Sequence, residues 1–263
     1  MNSHPDKYWV GRSFGAAARG YDGVAELQRE VGGRLMSRLP ADADMPKLIV
    51  DVGAGTGHFT AELLARYPGS RVIALDIAEG MLLAARERIG SAAACVRGDA
   101  EALPMADRSA DLVFSNLSIQ WCPDLIGVFG EFRRVLKPGG MALFSTFAAG
   151  TLAELRRAWA EADASHTHVN EFTDPAAVAG ALDEAGFTRA DLESETRRLD
   201  YADAHALMRE LKTLGAHNMT AGRPRHLTGK GQLRRMVEGY AAQMAGAGIR
   251  ASFEVVYGCV RKT

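Results

Sequence analysis

The run Asp51-Val52-Gly53-Ala54-Gly55-Thr56-Gly57 constrains this chain more than any other segment. The apolar run Leu48-Ile49-Val50 leads into it and predicts a buried strand; a helical pattern from Phe59 to Tyr67 leads out. A strand that ends in closely spaced glycines and feeds a helix builds a cradle for a nucleotide. Glycine lets backbone approach a ligand and take positive φ without steric cost, and the first helical turn offers unpaired N–H groups. An ordinary tight turn between strand and helix is the plain alternative.

The dinucleotide fingerprint is Gly-x-Gly-x-x-Gly. Here the third glycine arrives one residue early and an acid precedes the first. That form resembles the first motif of class I methyltransferases. The resemblance implies S-adenosylmethionine as cofactor, with its amino-acid end and ribose wrapped by Asp51, Gly53, Gly55 and Gly57. A second apolar run, Val72 to Leu75, ends at Asp76, an acid about 20 residues past the loop and placed to accept from both ribose hydroxyls. Capping a helix that starts near Ala78 is its plainer role. The segment Arg97 to Pro104 resembles the family's adenine loop, which implies that Asp99 accepts from the adenine amino group beside Ala100 and Glu101. Ile77 and Met81 are implied to flank the cofactor as well. Asp111 to Asn116 reads as a further buried strand, and its end, with Asn116 and Leu117, falls where methyl transfer takes place in this fold. Arg134 to Gly140 reads as a helix ended by Pro138-Gly139, followed by the strand Met141 to Phe144.

The fold expected is therefore α/β and Rossmann-like. It has a mostly parallel seven-stranded sheet, an antiparallel edge strand and a helical cap insertion. Residues 46 to 147 form the cofactor-binding core, within one domain spanning residues 1 to 263. Residues 1 to 10 lack a clear pattern and are expected to be disordered. Ala25 to Leu39 reads as an amphipathic helix with Leu27, Val31, Leu35 and Leu39 on one face. After Phe147 the strand–helix alternation stops. Thr151 to Asp163, Ala202 to Leu214 and Lys230 to Met244 read as helices, as does the segment opened by Asp174-Pro175. Ala190 to Leu199 and Ser252 to Val260 read as the last strands, about 50 residues apart, too far for a hairpin loop. Residues 150 to 172 and 200 to 250 are thus expected to cap the active-site mouth.

Net charge is −1, which gives no overall pull toward nucleic acid or anionic membrane. The segment Ser115-Asn116-Leu117-Ser118 also lacks the Asn/Asp-Pro-Pro-aromatic motif of nucleic-acid methyltransferases. Cys95, Cys122 and Cys259 are widely spaced, and His166 with His168 lacks an evident third ligand, so no metal is expected. Unpaired cysteines and the lack of a signal-peptide pattern point to the cytoplasm. No apolar run approaches the ~20 residues of a membrane span.

Several segments outside the cofactor motifs narrow the family. They include Phe14-Gly15-Ala16-Ala17, Tyr21-Asp22, Gln120-Trp121-Cys122, Gly150-Thr151-Leu152, Ala158-Trp159, His168 with Asn170 and Phe172, Leu211-Lys212, Gly222-Arg223 and Leu227-Thr228. From near residue 12 to near residue 240 they resemble the malonyl-acyl-carrier-protein O-methyltransferases of biotin synthesis. Ala16 departs from members that carry a basic residue there. The resemblance implies methylation of the free carboxylate of a malonyl thioester held on an acyl-carrier protein, with S-adenosylhomocysteine as the other product. Such a carboxylate is ionised at neutral pH and needs no general base, so no acid–base residue is expected. The candidates for acceptor contacts are Tyr21, Gln120, Trp121, His168, Asn170, Lys212 and Arg223. Plainer roles stand beside these: core packing for Tyr21 and Trp121, loop capping for His168 and Asn170, solvated charge for Lys212 and Arg223. Lys212, Arg223, Arg225, Lys230, Arg234 and Arg235 fall in a stretch without acids, which suits docking of an acidic carrier. A class I methyltransferase acting on a small free acid or quinone precursor, and a cofactor-binding regulator without catalysis, are the competing readings.

Overall fold

The computed structural model describes residues 6–39, 45–188, 190–219, 228–244 and 248–263. One seven-stranded sheet runs in the order β3-β2-β1-β4-β5-β7-β6. Its strands are β1 (Leu48–Val52), β2 (Arg71–Asp76), β3 (Ala94–Arg97), β4 (Ala110–Asn116), β5 (Leu136–Phe147), β6 (Ala190–Tyr201) and β7 (Ile249–Arg261). Strands β1 to β5 pair in parallel, and β7 pairs antiparallel with both β5 and β6. The antiparallel strand therefore lies one place in from the edge rather than at it. The reason is burial: β7 is apolar along most of its length and is covered, whereas β6 alternates polar residues and suits the exposed rim.

Alternation along the strands feeds two cores. Ile49, Leu112, Phe114 and Leu143 face one side, where α2 (Glu26–Ser37), α3 (His58–Arg66), α6 (Ala153–Ala162), α8 (Ala204–Thr213) and α9 (Lys230–Ala242) pack. Val50, Val52, Val113 and Phe144 face the other, against α5 (Leu125–Val135) and α7 (Pro175–Glu184). The expected stripe of Leu27, Val31, Leu35 and Leu39 is buried in the first core. The segments between β6 and β7 thus extend a helical layer on one face.

Two local expectations change. Residues 7 to 10 are not patternless chain but the start of α1 (Lys7–Tyr21), capped by the Asp6 carboxylate, which accepts from the Tyr8 N–H. The helix before β5 ends at Val135, ahead of Pro138. The strand begins at once, and Lys137 to Gly140 form an irregularity between the pairs Ala110–Leu136 and Leu112–Met141. Pro138 lacks the N–H a regular ladder needs, so the ladder loops out there. Among the described residues no helix is long and apolar enough to cross a membrane.

Candidate active site

The chain runs outward from β1 through β2 to β3, then returns to lay β4 on the other side of β1. A cleft at the carboxyl ends of strands is expected at such a switch point. One opens there, about 710 Å³ in volume. Gly53, Gly55, Asp76, Ile77, Met81, Asp99, Ala100, Asn116 and Leu117 all line it, joined by Tyr21 and Trp121. A smaller lobe of about 440 Å³ shares Tyr21, Gly53, Gly55 and Asn116 and adds Asp51. The order of strands, not proximity in sequence, collects these side chains.

Gly53 and Gly55 have φ of +75° and +55°. A Cβ at Gly53 falls on Ser118 Oγ, whereas at Gly55 nothing lies within 4 Å, so backbone there is bare to the cleft. Gly57 does something else. It has φ of +78° at the start of α3, and a Cβ there comes within 3.0 Å of Ala85 in α4 (Glu79–Ile89). Its missing side chain lets the two helices approach; it faces α4 rather than the cleft. Glu101 also turns away, pairing with Lys7 at 2.5 Å and accepting from the Asp124 N–H at 3.0 Å.

Asp76 is buried, and its two oxygens accept from the N–H of Gly55 at 2.9 Å and of Ala78 at 2.8 Å. It thereby clamps the glycine loop to the end of β2, while Ala78, without a side-chain bond, occupies the cap position of α4. Burial raises the Asp76 pKa, with the backbone N–H bonds pulling the other way. Asp51 is buried and accepts from the Thr60 hydroxyl at 2.6 Å. Burial pushes its pKa up to about 7; the Thr60 bond opposes this and the Asp76 charge adds to it. Tyr21, on both lobes, has its phenol pKa raised by burial and then by Asp76 and Asp22, so it is a neutral donor. Burial pushes the Cys122 thiol up to about 12, which leaves it un-ionised. Asn116 donates to the Gln28 carbonyl at 2.9 Å and accepts from Ser145 at 2.8 Å, tying β4 to α2 and β5.

Sequence reasoning missed Lys7, Val10 and Phe14, which line the cleft from α1, and Gln28, which lines the smaller lobe. Lys7 bonds Asp99 at 2.6 Å as well as Glu101. Burial works against its ammonium, but the two carboxylates prevail and raise its pKa. The Asp6 cap was the available signal for this helix. At its other end Asp22 accepts from Thr56 at 2.7 Å and Arg88 at 2.5 Å. The Gln28 Oε1 and Gln120 Oε1 atoms are buried without a partner among the described residues.

A second, wider cleft of about 2560 Å³ lies behind α1, between α6, α8 and the loop through residue 172. Trp121, His168, Asn170 and Lys212 border it. His168 stacks on Trp159 at 3.9 Å and bonds Asp163 at 2.9 Å; His166 bonds the same carboxylate at 3.0 Å. Ser165 and His168 hold the Asp163 carboxyl well below the usual range. Asn170 is buried, donating to the His217 carbonyl at 3.2 Å and accepting from the Met219 N–H at 2.9 Å. Lys212 is exposed. Gln120 donates to the Leu117 carbonyl at 2.6 Å. Arg223 and Arg225 lie outside the described residues. Arg235 donates to the Ala162 carbonyl at 3.0 Å, at the end of α6, so its guanidinium is partly engaged within the fold.

Residues 50–144 match a family model described as a methyltransferase domain. The chain is 50% identical to the malonyl-[acyl-carrier protein] O-methyltransferase of Methylococcus capsulatus, over 98% of this chain and 94% of that one. It is 46% identical to the biotin biosynthesis bifunctional protein BioHC of Cellvibrio japonicus, over 96% of this chain and 49% of that protein. Its fold resembles phosphoethanolamine N-methyltransferase 2 of Haemonchus contortus, solved with S-adenosyl-L-methionine, with a TM-score of 0.59 and 16% identity over 95% of this chain and 57% of that one.

Proposed function

Since this chain belongs to the malonyl-[acyl-carrier protein] O-methyltransferase family, we propose that it methylates the free carboxylate of malonyl-acyl-carrier protein from S-adenosylmethionine, giving the methyl ester used in biotin synthesis. Full-length relatedness at half identity carries this reading. The cleft fits the cofactor's chemistry. It offers bare backbone at Gly55 and carboxylates at Asp76 and Asp99 for hydroxyl and amino donors. In the smaller lobe, Asp51 and the orphaned Gln28 Oε1 suit an ammonium.

When bound, the cofactor supplies a methyl group on a sulfonium: a carbon–oxygen bond forms as the carbon–sulfur bond breaks, and its electron pair passes to sulfur. In this reading Asp76 accepts from the ribose hydroxyls and Asp99 from the adenine amino group. Asp51 and Gln28 take the ammonium, and Arg29, on the same lobe, pairs with the cofactor carboxylate. Tyr21, Asn116, Leu117 and Trp121 close the transfer point against water. No residue has to remove a proton, because the acceptor carboxylate is already charged. The acceptor arm enters by the wider cleft, where Lys212 supplies positive charge and His168 and Asn170 shape the wall. Lys230 and Arg234, exposed on α9, continue that charge toward an acidic carrier. The test is incubation with malonyl-acyl-carrier protein and S-adenosylmethionine, with mass spectrometry of the carrier. One added methyl, absent when malonyl is replaced by acetyl, is the expected result; an unmodified malonyl carrier overturns the reading.

A further inference from the structure

The two clefts share a wall. Helix α1 presents Val10 and Phe14 to the cofactor cleft, and Trp9, Ser13, Ala16 and Ala17 to the wider one. Trp121 borders both. It sits in a small separate apolar cluster with Val10 and Met219, against which Phe14 and Ala216 pack. Ala216 borders the wider cleft, and Met219 is 1% exposed. The Phe14 ring meets the Trp121 indole edge-on at 5.2 Å. Buried Asn170, on the wider cleft, ties down the Met219 backbone by accepting from its N–H.

This arrangement poses a problem for the reaction. An acceptor lying in the wider cleft must bring its carboxylate past the cluster to reach the cofactor cleft. We propose that the cluster of Trp121, Phe14 and Met219 is a width gate, which passes an unbranched –CH2–COO⁻ end and excludes a thioester branched beside the carboxylate. The inference rests on the carboxyl-methylation reading above and adds a specificity to it. A malonyl end carries only hydrogens on the carbon that threads the gate. Its 2-methyl analogue adds one methyl group, which has to displace the indole or the side chains packed on it. Close-packed apolar groups resist such a shift. One carbon more or less in an apolar pocket typically changes kcat/KM by about 10–200-fold.

The experiment measures kcat/KM for malonyl- and methylmalonyl-carrier thioesters with the intact protein, with Met219→Ala and with Phe14→Leu. Shortening Met219 gives the indole room to retreat; Phe14→Leu removes its edge-on partner and serves if Met219→Ala does not fold. The wild type should favour the unbranched substrate by about tenfold or more. Either variant should narrow that ratio several-fold, by a gain on the branched substrate. A merely structural role lowers both substrates together and leaves the ratio where it was, which overturns the gate. So does a wild type that uses both thioesters equally well. A wild type that methylates neither thioester overturns the carboxyl-methylation reading itself, and the gate with it.

Discussion

Replacing Asp76 by alanine tests the centre of the cofactor site. Two of its bonds are internal, to the N–H groups of Gly55 and Ala78. The carboxylate has about four lone-pair positions, so it can still accept two ribose hydroxyls. Hydrogen bonds to a charged group contribute about 1.5–3 kcal/mol each. Loss of even one such bond weakens binding about tenfold, since about 1.4 kcal/mol is a factor of ten. The same substitution also frees the glycine loop, so the affinity of one ligand does not separate loop from ribose. A cycle does. Calorimetry is run on wild type and Asp76→Ala with S-adenosylhomocysteine and with its 2′,3′-dideoxy form. The variant should lose at least about tenfold for the hydroxylated ligand and much less for the dideoxy one. Equal losses for both, in a folded variant, would refute direct ribose binding and leave Asp76 as a loop clamp alone.

Three further outcomes follow from the same geometry. Asp51, raised to about 7 from an ordinary 3.8, is mostly protonated only below about pH 7 in the cofactor-free fold. Its contribution to stability therefore falls as pH rises from about 4 to about 7 and is level above that, while an ammonium-bearing ligand needs the carboxylate. Cofactor affinity should drop by up to about tenfold per pH unit below 7; calorimetry showing constant affinity from pH 8 to pH 6 contradicts the Asp51 contact. With cofactor saturating and chemistry limiting, kcat should be flat from about pH 6 to 8, since the acceptor is ionised throughout; a sigmoid centred near neutrality reveals a titrating base. Charge reversal at Lys230 and Arg234 should raise KM for the carrier-linked substrate in low salt, with the effect fading as salt shortens the screening length to less than about 8–10 Å. A short malonyl thioester should be used nearly as before, and an equal loss on both substrates removes the docking surface. Arg235 is left out of this variant because its bond to the Ala162 carbonyl makes its loss a structural change.

What the sequence by itself determined are the features that local chemistry decides. Leu48 to Val50 and Val72 to Leu75 are short apolar runs bounded by glycine or an acid, so strand and turn follow from neighbours a few residues away. The Asp174-Pro175 helix start is local in the same sense, with the Asp174 carboxylate accepting from the Ala176 N–H. Strand–helix alternation implied parallel strands, and the resemblance to class I methyltransferases implied that Asp51, Asp76, Asp99 and Asn116 gather at their carboxyl ends, so that much was also legible. Tertiary structure alone decided which surface each remaining residue meets. Helix α1 has working contacts on two faces, so no single apolar stripe announced it. Gly57 looks like Gly53 and Gly55 in sequence, yet α4 occupies the space beside it. Residues 10, 121 and 219 form one cluster only because α1, the turn after β4 and the segment after α8 converge. Periodicity shows that a side chain must be covered. The packing of distant elements determines what covers it.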